Sequence, residues 1–394
     1  MKQVLEGNSA VAEAVRLARV QVISAYPITP QSHIVEVLSD YCASGKMDAR
    51  FLRVESEHSC LASLVGAASG GVRTFTATSS AGLAYMHEML HWTSGSRLPI
   101  VMAEVNRAVG APWNIWADQT DSLSQRDTGW IQLYCEDGQE VFDTVLQAFR
   151  LAEWVSLPVM VITEGFLLSH TYEPVDVPDQ EEVDRFLPPY KPAFNLDTKN
   201  PFAVNPIVPP TVYMEIRHDN AVAMDQVLER FHDVEVAFEA VFNRRHGPVE
   251  AANCDDAEII LVTSGTITST ARLLLEELRD KGEKVGVLKI KMFRPFPVEL
   301  ICSVLKPAKK VAVIDRNFSS GAGGIFLQEV RAALCNMQQR PLVFGYVVGL
   351  GGRDVTTSVL KDIYRKTKES DVPSERSIWI GLQEVKYAFG NVRS

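Results

Sequence analysis

Four short stretches carry side chains able to do acid–base or anion-binding chemistry: YPITP (26–30), RVESEH (53–58), TATSSAG (76–82) and EVNRAVGAPWNIW (104–116). In YPITP, Pro27 and Pro30 lack amide donors and push the residues before them toward extended geometry, so strand pairing ends there. Thr29 is then held on a stiff turn, where it either caps the following helix or faces a ligand. Glu55 and Glu57 stand before the small-residue run CLASLVGAASGG. The positive end of a helix dipole accounts for one carboxylate. A second, directed into small-residue packing, is partly desolvated, which suits an acid–base role. Arg107 is either a cap on the sheet surface or an anion clamp. Ser79, Ser80 and Gly82 lie at a turn that can bind an anion but lacks phosphate-loop spacing.

These residues need a scaffold that brings the ends of several strands together. The apolar runs VQVISAYP, ARFLRV, RTFTATS, LPIVMAEV and LPVMVIT read as strands, and HIVEVLSDYCAS, HSCLASLVGAASGG, GLAYMHEML and VFDTVLQAFRLAEWV read as the helices between them. Continuous apolar strands alternating with helices predict an α/β fold with a parallel sheet covered on both faces. Ligands in such sheets sit at the carboxyl ends of the strands, where all four stretches fall. The expected organisation is a first domain over 1–171, a proline-rich connector and helix over 172–256, and a second α/β domain over 257–394. The second domain opens with the strand–helix–strand unit EIILVTSGTITSTARLLLEELRDKGEKVGVLKI. Its TSGTIT turn is either an anion site or a helix start capped by Ser264 or Thr266. RNFSSGAGG and VGLGGRD read as tight or flexible glycine turns without dinucleotide-binding spacing. FRPFP reads as a rigid exit from a strand.

The chain has 394 residues, 46% apolar and 22% charged, as in a water-soluble globular protein, with a formal net charge of −10. That charge argues against nucleic acid as a partner. No apolar run approaches a membrane span, and MKQVLEGNSA lacks the apolar core of a signal peptide, so the expected location is cytoplasmic. Cys42, Cys60, Cys135, Cys254, Cys302 and Cys335 are scattered, with no metal-binding spacing. Any iron–sulfur cluster serving this protein therefore belongs to another chain.

YPITP, VESEHS, RTFTATSSAGLAYMHEML, RLPIVMAEVNRA, QTDSLSQRDTGW, FRPFP and GLGGRD, in this order, resemble the α subunit of the 2-oxoacid:ferredoxin oxidoreductases. The resemblance spans residues 1 to about 390. It implies a thiamine-diphosphate pyrimidine-binding domain joined to a transketolase-C-terminal-like domain. It also implies oxidative decarboxylation of a 2-oxo acid with coenzyme A. A β subunit supplies the diphosphate and Mg2+ site with a nearby iron–sulfur cluster, γ and ferredoxin-like δ subunits complete the complex, and ferredoxin or a flavin/NAD subunit accepts the electrons. This sequence contains no GDG, the start of the diphosphate-site pattern, and so resembles half of an active site.

By the same resemblance, Glu57 matches the glutamate that hydrogen-bonds the aminopyrimidine ring and favours its imino tautomer. Thr29 and Arg107 match the groups that hold the substrate carboxylate, and Ser79 and Ser80 fall in the cofactor-binding turn. Pyruvate-type relatives more often carry isoleucine at the position of Trp113. That points to a bulky branched or aromatic 2-oxo acid if the indole lines the pocket, whereas an interfacial indole would leave pyruvate open. Transketolases and other thiamine enzymes lack the ESEHS-to-QRDTGW run. A non-catalytic assembly subunit is the alternative from a different class.

Overall fold

The protein is described from a computed structural model covering residues 2–383; the end of the expected second domain, 384–394, lies outside the described residues. Seven strands form the first sheet, in the spatial order Met292–Arg294, Ile131–Tyr134, Val159–Glu164, Val101–Asn106, Thr74–Thr78, Val22–Ala25 and Arg50–Arg53. Six run parallel, and Met292–Arg294 is antiparallel to its neighbour. Alternation sorts their side chains to two faces. Val101, Ala103 and Val105 join a core with the helices Gly7–Leu17, Ser32–Ala43 and Gly138–Val155. Met102 and Met160 face the opposite core, together with Leu61 and Leu64 of the helix Glu57–Ser69.

The second sheet has the order Ile378–Trp379, Leu342–Val347, Lys310–Asp315, Ile259–Thr263, Val285–Ile290 and Val249–Ala252, parallel except for the last strand. Ile260, Val262, Leu288, Val311 and Val313 belong to the same apolar cluster as Leu61 and Met102. The two sheets are therefore bound together by one shared core.

Three features depart from the sequence reading. The strand around FRPFP is not a mere exit: Met292 pairs with Leu133, so a segment from the second half of the chain forms the edge of the first sheet. The connector contains a strand, Tyr172–Asp176, paired antiparallel with Lys2–Glu6, and Pro174 is tolerated because this two-stranded ribbon is all edge. The connector holds two helices where one was expected, Pro210–Asp225 and Val227–Phe242. The first has proline at its first position, a helix-start signal, but buries only Ala223, so no apolar period announces it.

The two sheets are also joined by charge. Glu164, 1% exposed at the end of its strand, accepts hydrogen bonds from Gln119 Nε2 (3.0 Å), the Thr266 amide (3.0 Å) and the Thr266 hydroxyl. Arg316 Nε lies 3.1 Å from the same carboxylate. Gly265, at φ +64°, permits the approach: a Cβ there would lie 3.1 Å from the Glu164 carboxyl. A second buried set joins Lys289 to both Glu140 oxygens (2.8 Å each) and to Glu136 and Glu250 (3.1 Å each). Removing one member of such a pair strands the other without solvent. Glu164→Ala should therefore lower unfolding free energy by about 3 to 5 kcal/mol in chemical denaturation. Glu277→Ala, which removes an exposed ion pair, should leave the midpoint almost unmoved.

Candidate active site

The carboxyl ends of four neighbouring strands present the residues singled out above. After Val101–Asn106 comes Arg107, after Thr74–Thr78 come Ser79 and Ser80, after Val22–Ala25 comes Thr29, and after Arg50–Arg53 comes Glu57. The chain leaves Val22–Ala25 for the outer strand Arg50–Arg53 and returns to its other side at Thr74–Thr78, and this reversal opens the crevice.

Arg107 is no surface cap. Only 9% exposed, it reaches past the intervening strand and donates from Nη1 to the Thr29 carbonyl at 2.8 Å. Its Nε is buried without a partner, and burial pushes its pKa down, with Asp121 opposing the shift. A guanidinium with unspent donors in a desolvated place is suited to a carboxylate. Thr29 does not cap the following helix, whose N-cap position is Gln31, without a side-chain bond. It is exposed, preceding a cis peptide to Pro30, and its hydroxyl has no partner among the described residues.

The two glutamates divide as their environments dictate. Glu55 is solvent-exposed and bonded by the Ser59 hydroxyl, which holds its pKa below the usual range. Glu57 is 8% exposed at the first position of its helix, whose N-cap is Ser56, accepting from the Ser59 amide at 3.2 Å. Its carboxyl presses on Gly82, where a Cβ would lie 2.6 Å from Oε1. Among the described residues it has no hydrogen-bond partner. A near-buried carboxyl without a partner, with room kept by a glycine, fits the edge of a flat ring that offers nitrogen.

Ser79 and Ser80 are committed to the scaffold as donors. Their hydroxyls donate to the carbonyls of Val105 and Ala108, each at 2.7 Å, which leaves them lone pairs as acceptors. The TSGTIT turn does bind an anion, but the anion is Glu164 of the same chain, and Ser264 donates to the Ile290 carbonyl (2.9 Å) rather than capping the helix. GLGGRD accommodates the loop after Arg107: Asn114 Nδ2 donates to the Gly351 carbonyl (3.2 Å), and a Cβ on Gly352 would lie 2.4 Å from Trp116 Cβ. Trp116 also packs 5.8 Å from Phe166, whereas Trp113 is 84% exposed.

Two residues to which the sequence reading gave no role are Glu104 and Asp121. Both are fully buried and both accept from Asn106 Nδ2, at 2.8 and 2.7 Å. Burial, with Asp121 beside it, pushes Glu104 well above the usual carboxylate range, and burial raises Asp121 to about 6. Strand alternation places Glu104 on the face of Met102, the signal that could have flagged it. Glu140, His246 and Glu250 are close enough to share a cation, but the Lys289 ammonium already fills that role.

The architecture is that of thiamine-diphosphate enzymes. A split-gene transketolase aligns over 93% of this chain and 98% of its own (TM-score 0.56, 14% identity). A 2-oxoglutarate:ferredoxin oxidoreductase from Magnetococcus marinus aligns over 93% of this chain and 65% of its own (TM-score 0.73, 20% identity). Residues 13–235 match the family described as pyruvate flavodoxin/ferredoxin oxidoreductase, thiamine diphosphate-binding, and residues 257–360 match pyruvate:ferredoxin oxidoreductase core domain II. The chain is 49% identical to ketoisovalerate oxidoreductase subunit VorA of Pyrococcus abyssi, over 94% of each. It is 47% identical to pyruvate synthase subunit PorA of Methanothermobacter thermautotrophicus, over 97% of this chain and 98% of that one. The chain belongs to the α subunits of the 2-oxoacid:ferredoxin oxidoreductases.

The Gly82 contact generates a direct test. Gly82→Ala in the assembled enzyme should displace the Glu57 carboxyl and cut kcat by about ten- to hundred-fold, the scale of an ångström-sized misplacement. The melting temperature should change little; wild-type kcat would separate Gly82 from Glu57.

Proposed function

We propose that this subunit binds the pyrimidine half of thiamine diphosphate through Glu57 and the Ser79–Ser80 turn, and the carboxylate of a 2-oxo acid through Arg107 and Thr29. The observation that carries this reading is the Arg107–Thr29 contact, with unspent donors, on the same strand-end edge as the unpartnered Glu57. Thiamine diphosphate, when bound, supplies the nucleophilic carbon and the electron sink for decarboxylation. Arg107 orients the substrate, and binding that does not tighten as the carboxylate is lost contributes orientation rather than barrier lowering. Glu57 shares a proton with the ring nitrogen, an acid–base task for which its burial suits it.

The acyl group passes to coenzyme A. A β subunit holds the diphosphate, Mg2+ and an iron–sulfur cluster. The γ and δ subunits carry electrons to ferredoxin, or a flavin subunit carries them to NAD. The absence of a GDG motif and of clustered cysteines in this chain supports that division, and a cytoplasmic, reducing setting accords with six free thiols. The substrate is a branched or aromatic 2-oxo acid. Trp113, 84% exposed on the loop that follows Arg107, supports this as a pocket wall completed by the partner. Pyruvate is the second reading, favoured by the pyruvate synthase relative at 47% identity.

In the reconstituted complex, Glu57→Gln should slow CO2 release by roughly two to four orders of magnitude. Glu55→Gln should leave it nearly unchanged, and the reverse order would refute the assignment. Specificity is read by kcat/KM for pyruvate, 2-oxoisovalerate and phenylglyoxylate. Arg107→Lys loses the planar fork and should weaken all three alike. Trp113→Ala should cost the bulky acids roughly ten- to hundred-fold and spare pyruvate. Equal losses would move that ring to a subunit interface.

A further inference from the structure

We propose that Asp121 is the positioning residue that holds the substrate arm and the cofactor-side turn in one register, an inference that rests on the function proposed above. Its Oδ2 accepts the backbone amides of Arg107 (2.8 Å) and Ser80 (3.0 Å), which follow two different strands. Oδ1 accepts Asn106 Nδ2 (2.7 Å) and the Ser122 amide (2.8 Å). One carboxylate therefore spans the residue that binds the Thr29 carbonyl and the turn that leads to Gly82, against which Glu57 rests. Ser80 stands at φ +49°, a left-handed conformation unfavourable to a residue with a Cβ, and its bond to Asp121 helps to hold it there.

The group has to be a carboxylate. Four N–H donors converge on its two oxygens, so an amide at this position would aim its NH2 at donors on one side or the other. Glu104 supplies the complementary half. Its Oε2 accepts from the same Asn106 Nδ2 that bonds Asp121, at 2.8 Å. A glutamine at 104 can reproduce that bond, because its carbonyl accepts. A leucine cannot. The asymmetry between the two positions is what separates a positioning device from generic buried polarity.

The test uses the reconstituted complex and reads KM for the 2-oxo acid, Kd for thiamine diphosphate, and melting temperature. Asp121→Asn should raise both KM and Kd by about ten- to hundred-fold, since the anchors of Arg107 and Ser80 shift together. Combined with Arg107→Lys, the double variant should raise KM no more than about three-fold beyond the worse single variant, because both reach the substrate through one guanidinium. Should Asp121→Asn fail to assemble, Glu104→Leu should raise KM and Kd, while Glu104→Gln should stay within about three-fold of wild type. An assembled Asp121→Asn enzyme with a lowered melting temperature but wild-type KM and Kd, or KM losses that add with Arg107→Lys, would overturn the proposal. So would identical behaviour of the two Glu104 variants. A wild-type complex that turns over no 2-oxo acid would instead fail the functional reading beneath it, so the two failures are distinguishable.

Discussion

Buried backbone amides just past strand ends and at helix starts must find acceptors, and in this protein the chain's own carboxylates supply them. Asp121 takes the amides of Ser80 and Arg107, Glu164 takes that of Thr266, and Asp315 takes those of Phe326 (2.9 Å) and Leu327 (3.2 Å). Each carboxylate is itself almost wholly buried, a costly state that only multiple donors offset. Burial raises the pKa of Asp315 to about 7. Against that background Glu57 stands apart. It is a carboxyl at the same edge, nearly as buried, and no donor within the described chain claims it. At this edge Glu57 and the Thr29 hydroxyl have no partner among the described residues, and the Arg107 Nε is unspent.

The same economy explains what could be read from sequence. The strands Thr74–Thr78, Val101–Asn106 and Val159–Glu164 are buried at every position, and mostly apolar or β-branched runs announced them. The strand-end location of Ser79, Ser80 and Arg107 followed from those runs, and that of Thr29 and Glu57 from VQVISAYP and ARFLRV. The occupant of each turn did not. TSGTIT and TATSSAG have the composition of anion-binding turns, yet the anions they meet come from residues 102 and 41 positions away, Glu164 and Asp121. Long-range pairing of this kind has no local signature. Nor has the strand Met292–Arg294, three residues long, whose partner Ile131–Tyr134 lies far back in the chain. The helix Pro210–Asp225 escaped notice for the opposite reason, because it has almost no buried face to impose a period.

That exposed helix belongs to a wider pattern. Trp113, Tyr85 and Val109 lie 84%, 60% and 44% exposed around the candidate site, and Tyr213 and Met214 stand 59% and 77% exposed on the helix. Large apolar side chains left to solvent in such number mark surfaces that another molecule covers. They agree with the proposal that this subunit builds one wall of the site, with closure provided from outside the chain.

The central claim is that catalysis requires both walls. Its most direct measurement is CO2 release from 2-oxoisovalerate and from pyruvate, with thiamine diphosphate, Mg2+, coenzyme A and an electron acceptor present, as the partner subunits are titrated into the purified chain. The account predicts no turnover from this chain alone and a rate that rises with the partners until they reach the chain's own molar amount. Turnover by the isolated chain, or a complex whose rate is indifferent to the presence of this chain, would contradict it.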